Sequence, residues 1–119
     1  MVTDIAGYSK LMEENEDGTI ELLKKHNEIV FPVIEADEGQ VVSSIGDGLL
    51  VVFPSVRKDV ECAVTIHSRV ASHNDASVKE EQFRLRIGIH LGEVRYEGST
   101  IYGTGVNVAA RVQPFALPG

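Results

Sequence analysis

Two apolar runs, Val41-Val42-Ser43-Ser44-Ile45 and Leu49-Leu50-Val51-Val52-Phe53, meet at Gly46-Asp47-Gly48, and no other stretch restricts the fold of this chain as tightly. Asp-Gly at the centre of a two-residue loop accepts positive φ at both positions, so the segment is expected to form a β-hairpin with a carboxylate at its tip. The turn needs no function to explain it. Neither lysine nor arginine adjoins Asp47 in sequence, however, so its carboxylate is a ready oxygen ligand for a hard cation once a second carboxylate comes near. Asp4, at the end of the short apolar stretch Met1-Val2-Thr3, is the candidate for that second group.

A chain of 119 residues supports one domain with a real core and is too short for two. Its net charge of −7 disfavours nonspecific nucleic-acid binding, which depends on cations that neutralise phosphates. No run approaches the roughly 20 apolar residues that span a bilayer, so no membrane span is expected in this segment and the expected location is cytoplasmic. Cys62 has no partner for an intrachain disulfide and sits beside Ala63-Val64, as a small buried hydrophobe would.

Past Asp4, the chain is expected to leave a strand through Gly7 and enter a short helix running to about Glu13. Backbone amides at such a start favour anionic groups, although the signal is weak by itself. Asp17 is placed to cap a long helix whose apolar positions are Ile20, Leu23, Val30, Phe31 and Ile34, with Pro32 kinking or shortening it. After the hairpin, Ser55 is placed to cap a helix with the stripe Val56, Val60, Ala63, Ile66 and Val70. A polar loop from Ser77 to Gln82 leads to a half-buried strand: Phe83, Leu85, Ile87, Ile89 and Leu91 face one way, and Arg84, Arg86 and His90 the other. A further strand begins at Val94 to Tyr96, and a last helix is expected from about Gly105 to Val112. The order suits an α+β domain, with helices packed on one face of a mostly antiparallel sheet.

Asn107 and Arg111 are four residues apart on that last helix and share a face. Arginine there would hold a phosphate bidentately and asparagine would fix a hydroxyl, while on spacing alone a solvated face is the simpler reading. His26, His67 and His73 fall on helices without metal-ligand spacing, which assigns them to the surface or its boundary. His90 is given no catalytic step.

Together, Thr3-Asp4-Ile5-Ala6-Gly7-Tyr8-Ser9, Ser44-Ile45-Gly46-Asp47-Gly48, Arg86 to Val94 and Tyr102 to Arg111, followed by Ala116-Leu117-Pro118-Gly119, resemble the motifs of the class III nucleotidyl cyclase catalytic domain, in the family's order and at its spacing. The resemblance implies a ferredoxin-like cyclase core that works as a homodimer with sites shared across the interface. It implies that Asp4 and Asp47, with the carbonyl of Ile5, hold two Mg²⁺ or Mn²⁺ ions per site for two-metal catalysis. One ion would assist attack of the ribose 3′-hydroxyl on the α-phosphate and the other would steady the pyrophosphate. Gly7, Tyr8 and Ser9 would wrap the triphosphate. Asn107 would orient the ribose and Arg111 would stabilise charge at the α-phosphate, both from the partner subunit.

Two positions depart from the pattern of many ATP-using members. Ser43 stands where they carry lysine, three residues before Gly46, and Thr100 stands where its aspartate partner would be, seven before Asn107. A hydroxyl both donates and accepts, so Ser43 and Thr100 do not separate adenine from guanine as a lysine–aspartate pair would. ATP is favoured and GTP is left open. The family continues beyond Pro118-Gly119, so residues 1–119 are expected to be a partial domain, weak or inactive alone, with attached regulatory domains in the parent protein. The alternative is a catalytically inactive cyclase-like module that binds nucleotide or dimerises.

Overall fold

The computed structural model describes residues 1–89, 95–97 and 100–102. Four strands form one sheet: β1 (Val2–Ile5), β2 (Gln40–Ile45), β3 (Gly48–Val52) and β4 (Leu85–Gly88), in the spatial order β2-β3-β1-β4. Every neighbouring pair is antiparallel. Among the described residues, three α-helices accompany them: α1 (Tyr8–Glu14), α2 (Glu16–Ala36) and α3 (Val56–Asp75). Two further short strands, β5 (Arg95–Glu97) and β6 (Thr100–Tyr102), pair with each other as a hairpin. The predicted last helix, with Asn107 and Arg111, lies outside the described residues.

Alternation along the strands divides the sheet into two faces. Thr3, Ile5, Leu49, Val51 and Leu85 are buried, together with Val30, Val33 and Ile34 of α2 and Ile66 and Val70 of α3. Each such aliphatic side chain contributes about 1.5–3 kcal/mol by leaving water, which is what holds the helices on this face. Val2, Asp4, Leu50 and Arg86 alternate with the buried set and are only half-buried. The α+β expectation, with an antiparallel sheet and helices on one side, matches this architecture.

The hairpin is present, with its turn displaced by one residue from the expected centre. Ile45 pairs with Gly48, so Gly46 and Asp47 are the two loop residues. Gly46 takes φ 58° and Asp47 stays at negative φ. Glycine first in a two-residue loop matches the strand twist as Asp-Gly does, and here it leaves Gly48 to begin β3. A register shift between Val41 and Ser43 adds a bulge to β2.

Helix details depart from expectation in physically clear ways. Asn15, not Asp17, caps α2: its side chain accepts from the Gly18 amide at 3.1 Å. Asp17 instead lies in the first turn, where its charge favours the positive end of the helix dipole. The helix runs through Pro32 to Ala36, with Pro32 on the solvent side. Its buried stripe is Thr19, Leu22, His26, Val30, Val33 and Ile34, leaving Ile20 exposed. His26 is therefore no surface residue; it is fully buried and meets Phe83 edge-on at a centroid distance of 5.9 Å. In α3, Ser55 caps the Lys58 amide as expected, at 3.2 Å. The buried positions are Asp59, Cys62, Ala63, Ile66 and Val70, while Val56 and Val60 face outward. The Ser77–Gln82 loop contains a single 3-10 turn at Lys79–Glu81.

Candidate functional site

Local backbone chemistry brings the first two motifs together. β1 is central, between β3 and β4, so Asp4 emerges at the end of the sheet nearest the β2–β3 turn. The backbone amide of Ile5 donates to Asp47 Oδ2 at 2.7 Å, tying the hairpin tip to the strand across 42 residues of sequence. Among the described residues, Asp47 Oδ1 has no hydrogen-bond partner. Asp4 and Asp47 both line a shallow recess of about 230 Å³ on the sheet, together with Val2, Ser43, Ile45 and Leu50.

Asp4 is directly opposite Arg86 in the β1–β4 register. Side chains at such positions are neighbours on one face, close enough for an ion pair. Arg86 Nε and Nη2 donate to Asp4 Oδ1 and Oδ2 at 2.7 and 2.6 Å, a bidentate fork that engages both carboxylate oxygens. The side chains are 32% and 19% exposed, so water screens the pair in part without dissolving it. The hydrogen bonds to Asp4 raise the guanidinium pKa above its ordinary value, and the charges of Asp4 and Asp47 act in the same direction.

Gly7 leaves β1 with φ 71° and caps α1, a left-handed turn that glycine takes without strain. Tyr8 then leans toward the hairpin tip: a Cβ built on Gly46 would lie 3.9 Å from Tyr8 Cε2. Gly7 and Ser9 are exposed at this end. Ser43 pairs with Leu50, which pairs with Val2, forming a row across the face that carries Asp4. Asp4, Ile5, Gly7, Tyr8, Ser43 and Asp47 thus gather around one end of the sheet. Thr100 opens β6, and nothing described connects that hairpin with the recess.

The sequence places Arg86 in a motif and on the polar face of its strand, and gives it no role of its own. The structure keeps that phase, with Arg86 on the strand face opposite the buried Leu85, as Asp4 is on its own strand. Only the register makes the two meet. His26 was equally legible in hindsight, four residues from both Leu22 and Val30 on the buried stripe of α2. Burial lowers its pKa, and Nδ1 lies 2.8 Å from Asn27 Oδ1 while Nε2 has no partner among the described residues. Cys62 is fully buried, which pushes its thiol pKa up to about 12, in agreement with the inert reading.

Comparison with known proteins gives concordant results. The family description "Adenylate and Guanylate cyclase catalytic domain" matches residues 1–119. A putative adenylate cyclase 3 of Rhizobium meliloti is 38% identical over 120 residues, covering 100% of this chain and 20% of that protein. An adenylate cyclase of Streptomyces coelicolor is 29% identical over 116 residues, covering 95% and 28%. This chain therefore spans less than a third of either relative. The solved structure of an adenylate/guanylate cyclase/hydrolase from Silicibacter pomeroyi superposes with a TM-score of 0.85 at 33% identity, over 98% of this chain and 70% of that one. With its fold, its motif order and these matches in agreement, the chain belongs to the adenylate and guanylate cyclase catalytic domain family.

Proposed function

We propose that this chain is the catalytic domain of a nucleotidyl cyclase that converts ATP to 3′,5′-cyclic AMP and pyrophosphate, with GTP as the second candidate substrate. The observation that carries the reading is the convergence of Asp4 and Asp47 on one recess at the same end of the sheet, one from the end of β1 and the other from the turn before β3. Carboxylate oxygens are the donors that Mg²⁺ and Mn²⁺ prefer, and Asp47 Oδ1 is uncommitted among the described residues, so the donor set fits such ions. Asp4, Asp47 and the Ile5 carbonyl would hold them. When bound, two ions lower the pKa of the attacking 3′-hydroxyl and offset charge on the departing pyrophosphate.

The chain's own residues then have separable tasks. Ile5 fixes Asp47 through its amide, so the carboxylate is oriented before substrate arrives. The turn at Gly7, Tyr8 and Ser9 would face the triphosphate with backbone donors. Ser43, on the row beside Leu50 and Val2, would meet the base and accept adenine or guanine. Asn107 and Arg111, supplied by the second copy of a homodimer, would hold the ribose and the α-phosphate. The far greater length of the relatives supports regulatory domains attached in the parent protein.

The test is to incubate the full-length parent with ATP or GTP and Mn²⁺, quantify cyclic product, and repeat with Asp47→Ala. Product that disappears in the variant supports the reading, and product unaffected by it rules out the metal assignment. Ser43, in place of the lysine of many ATP-using members, favours a second reading as an inactive nucleotide-binding or dimerisation module. Tight nucleotide binding without product from the wild type would establish that alternative.

A further inference from the structure

Resting on the metal reading above, we propose that Arg86 is a positioning residue that keeps the cation affinity of the free site low, so that the ion is retained only together with an anionic nucleotide. Its fork contacts both oxygens of Asp4 at 2.7 and 2.6 Å. Each oxygen keeps a further lone pair, so a cation arriving from the recess must share the carboxylate with a permanent positive charge. Asp4, Asp47 and Arg86 together carry a net charge of only −1, too little to balance one divalent ion and far too little for two. A triphosphate brings the missing negative charge. Substrate and metal would thus load as a unit, and the site would stay metal-poor between turnovers.

The pairing is built into the fold. Asp4 and Arg86 face each other because Ile5 pairs with Leu85 and Thr3 with Ile87, a register fixed by buried side chains on the opposite face. Arg86 therefore cannot leave Asp4 by a strand slip without exposing Ile5 and Leu85. An ion that Asp4 takes while the fork is in place shares the carboxylate with the guanidinium, and the cost is electrostatic. A unit charge about 6 Å from a divalent ion in a water-like dielectric changes its affinity about tenfold.

The experiment is a Mn²⁺ titration of the nucleotide-free chain, followed by the electron paramagnetic resonance signal of the free ion, for wild type, Arg86→Gln, Arg86→Lys and Asp47→Asn. Glutamine retains a donor for one oxygen of Asp4 but removes the charge; lysine retains the charge but not the fork. The expected result is Mn²⁺ binding about tenfold tighter in R86Q, near wild-type binding in R86K, and loss of binding in D47N. Unchanged or weaker binding in R86Q, or equal tightening in R86K, overturns the proposal. If wild-type binding is lost in D47N yet unmoved in R86Q, the metal reading stands and the role of Arg86 falls. If neither wild type nor R86Q binds Mn²⁺ at millimolar concentration, both fall together.

Discussion

Replacing Asp47 by alanine should destabilise the fold as well as remove a candidate ligand, and the two effects can be separated. The Ile5 amide that donates to Asp47 belongs to a residue only 1% exposed. Removing its acceptor forfeits a charge-assisted bond and strands a donor, together worth about 2 kcal/mol. Asp47 has negative φ, so alanine introduces no backbone strain to inflate the figure. With an unfolding entropy of about 2.1 cal/mol/K per residue, a chain of 119 residues should lose about 8 °C in Tm. Asparagine retains an acceptor oxygen at the same place and should lose less than half as much. Thermal and urea unfolding followed by circular dichroism measure both. A D47A midpoint within about 2 °C of wild type, or a D47N midpoint as low as that of D47A, would refute the role of the 2.7 Å bond as a tie between hairpin and central strand.

Three further outcomes follow from burial and close packing. The His26 pKa is lowered by burial, so below the ordinary value near 6.5 the unfolded chain takes up a proton that the native state refuses; stability should fall as pH drops through that region. His67, whose pKa is also lowered by burial, contributes in the same direction, so His26→Leu should flatten the slope of urea-derived stability between pH 6.5 and 5 without abolishing it. A slope unchanged in that variant would count against a neutral buried imidazole. Cys62, with a thiol pKa of about 12 and no exposed surface, should resist a thiol reagent at pH 8 in the native state and react completely in urea. Gly39→Ala would bring a methyl to 2.7 Å from Phe53 and 2.8 Å from Ile34, and overpacking of that kind should cost about 1–3 kcal/mol in urea unfolding.

What could be read from the sequence was what short-range physics determines. The Val41–Phe53 hairpin, the Ser55 cap and the first part of the alternation, with Phe83 and Leu85 buried and Arg84 exposed, are local patterns that the structure contains; Ile87 and Ile89 are only half-buried, and His90 and Leu91 lie outside the described residues. The displaced turn shows the limit of that reasoning: Gly46-Asp47 and Asp47-Gly48 both suit a two-residue loop, and only the pairing of Ile45 with Gly48 chooses between them. Helix faces were less legible, because Ile20, Val56 and Val60 fit an apolar spacing yet point outward once α2 and α3 settle on the sheet. His26 went the other way: a polar residue was assigned to the boundary and lies in the core. For the site, the candidates Asp4 and Asp47 came from the sequence, but the Ile5 amide that holds Asp47 and the arginine that grips Asp4 depend on strand register. No local pattern encodes register between residues 4 and 86.

The account rests on Asp4 and Asp47 sharing bound cations, and crystals grown with Mn²⁺ and a non-cyclisable ATP analogue test it most directly. Anomalous scattering should place manganese between the carboxylates of Asp4 and Asp47, in oxygen coordination with the triphosphate. Manganese bound elsewhere, or nucleotide seated in the recess with neither carboxylate touching an ion, would contradict it.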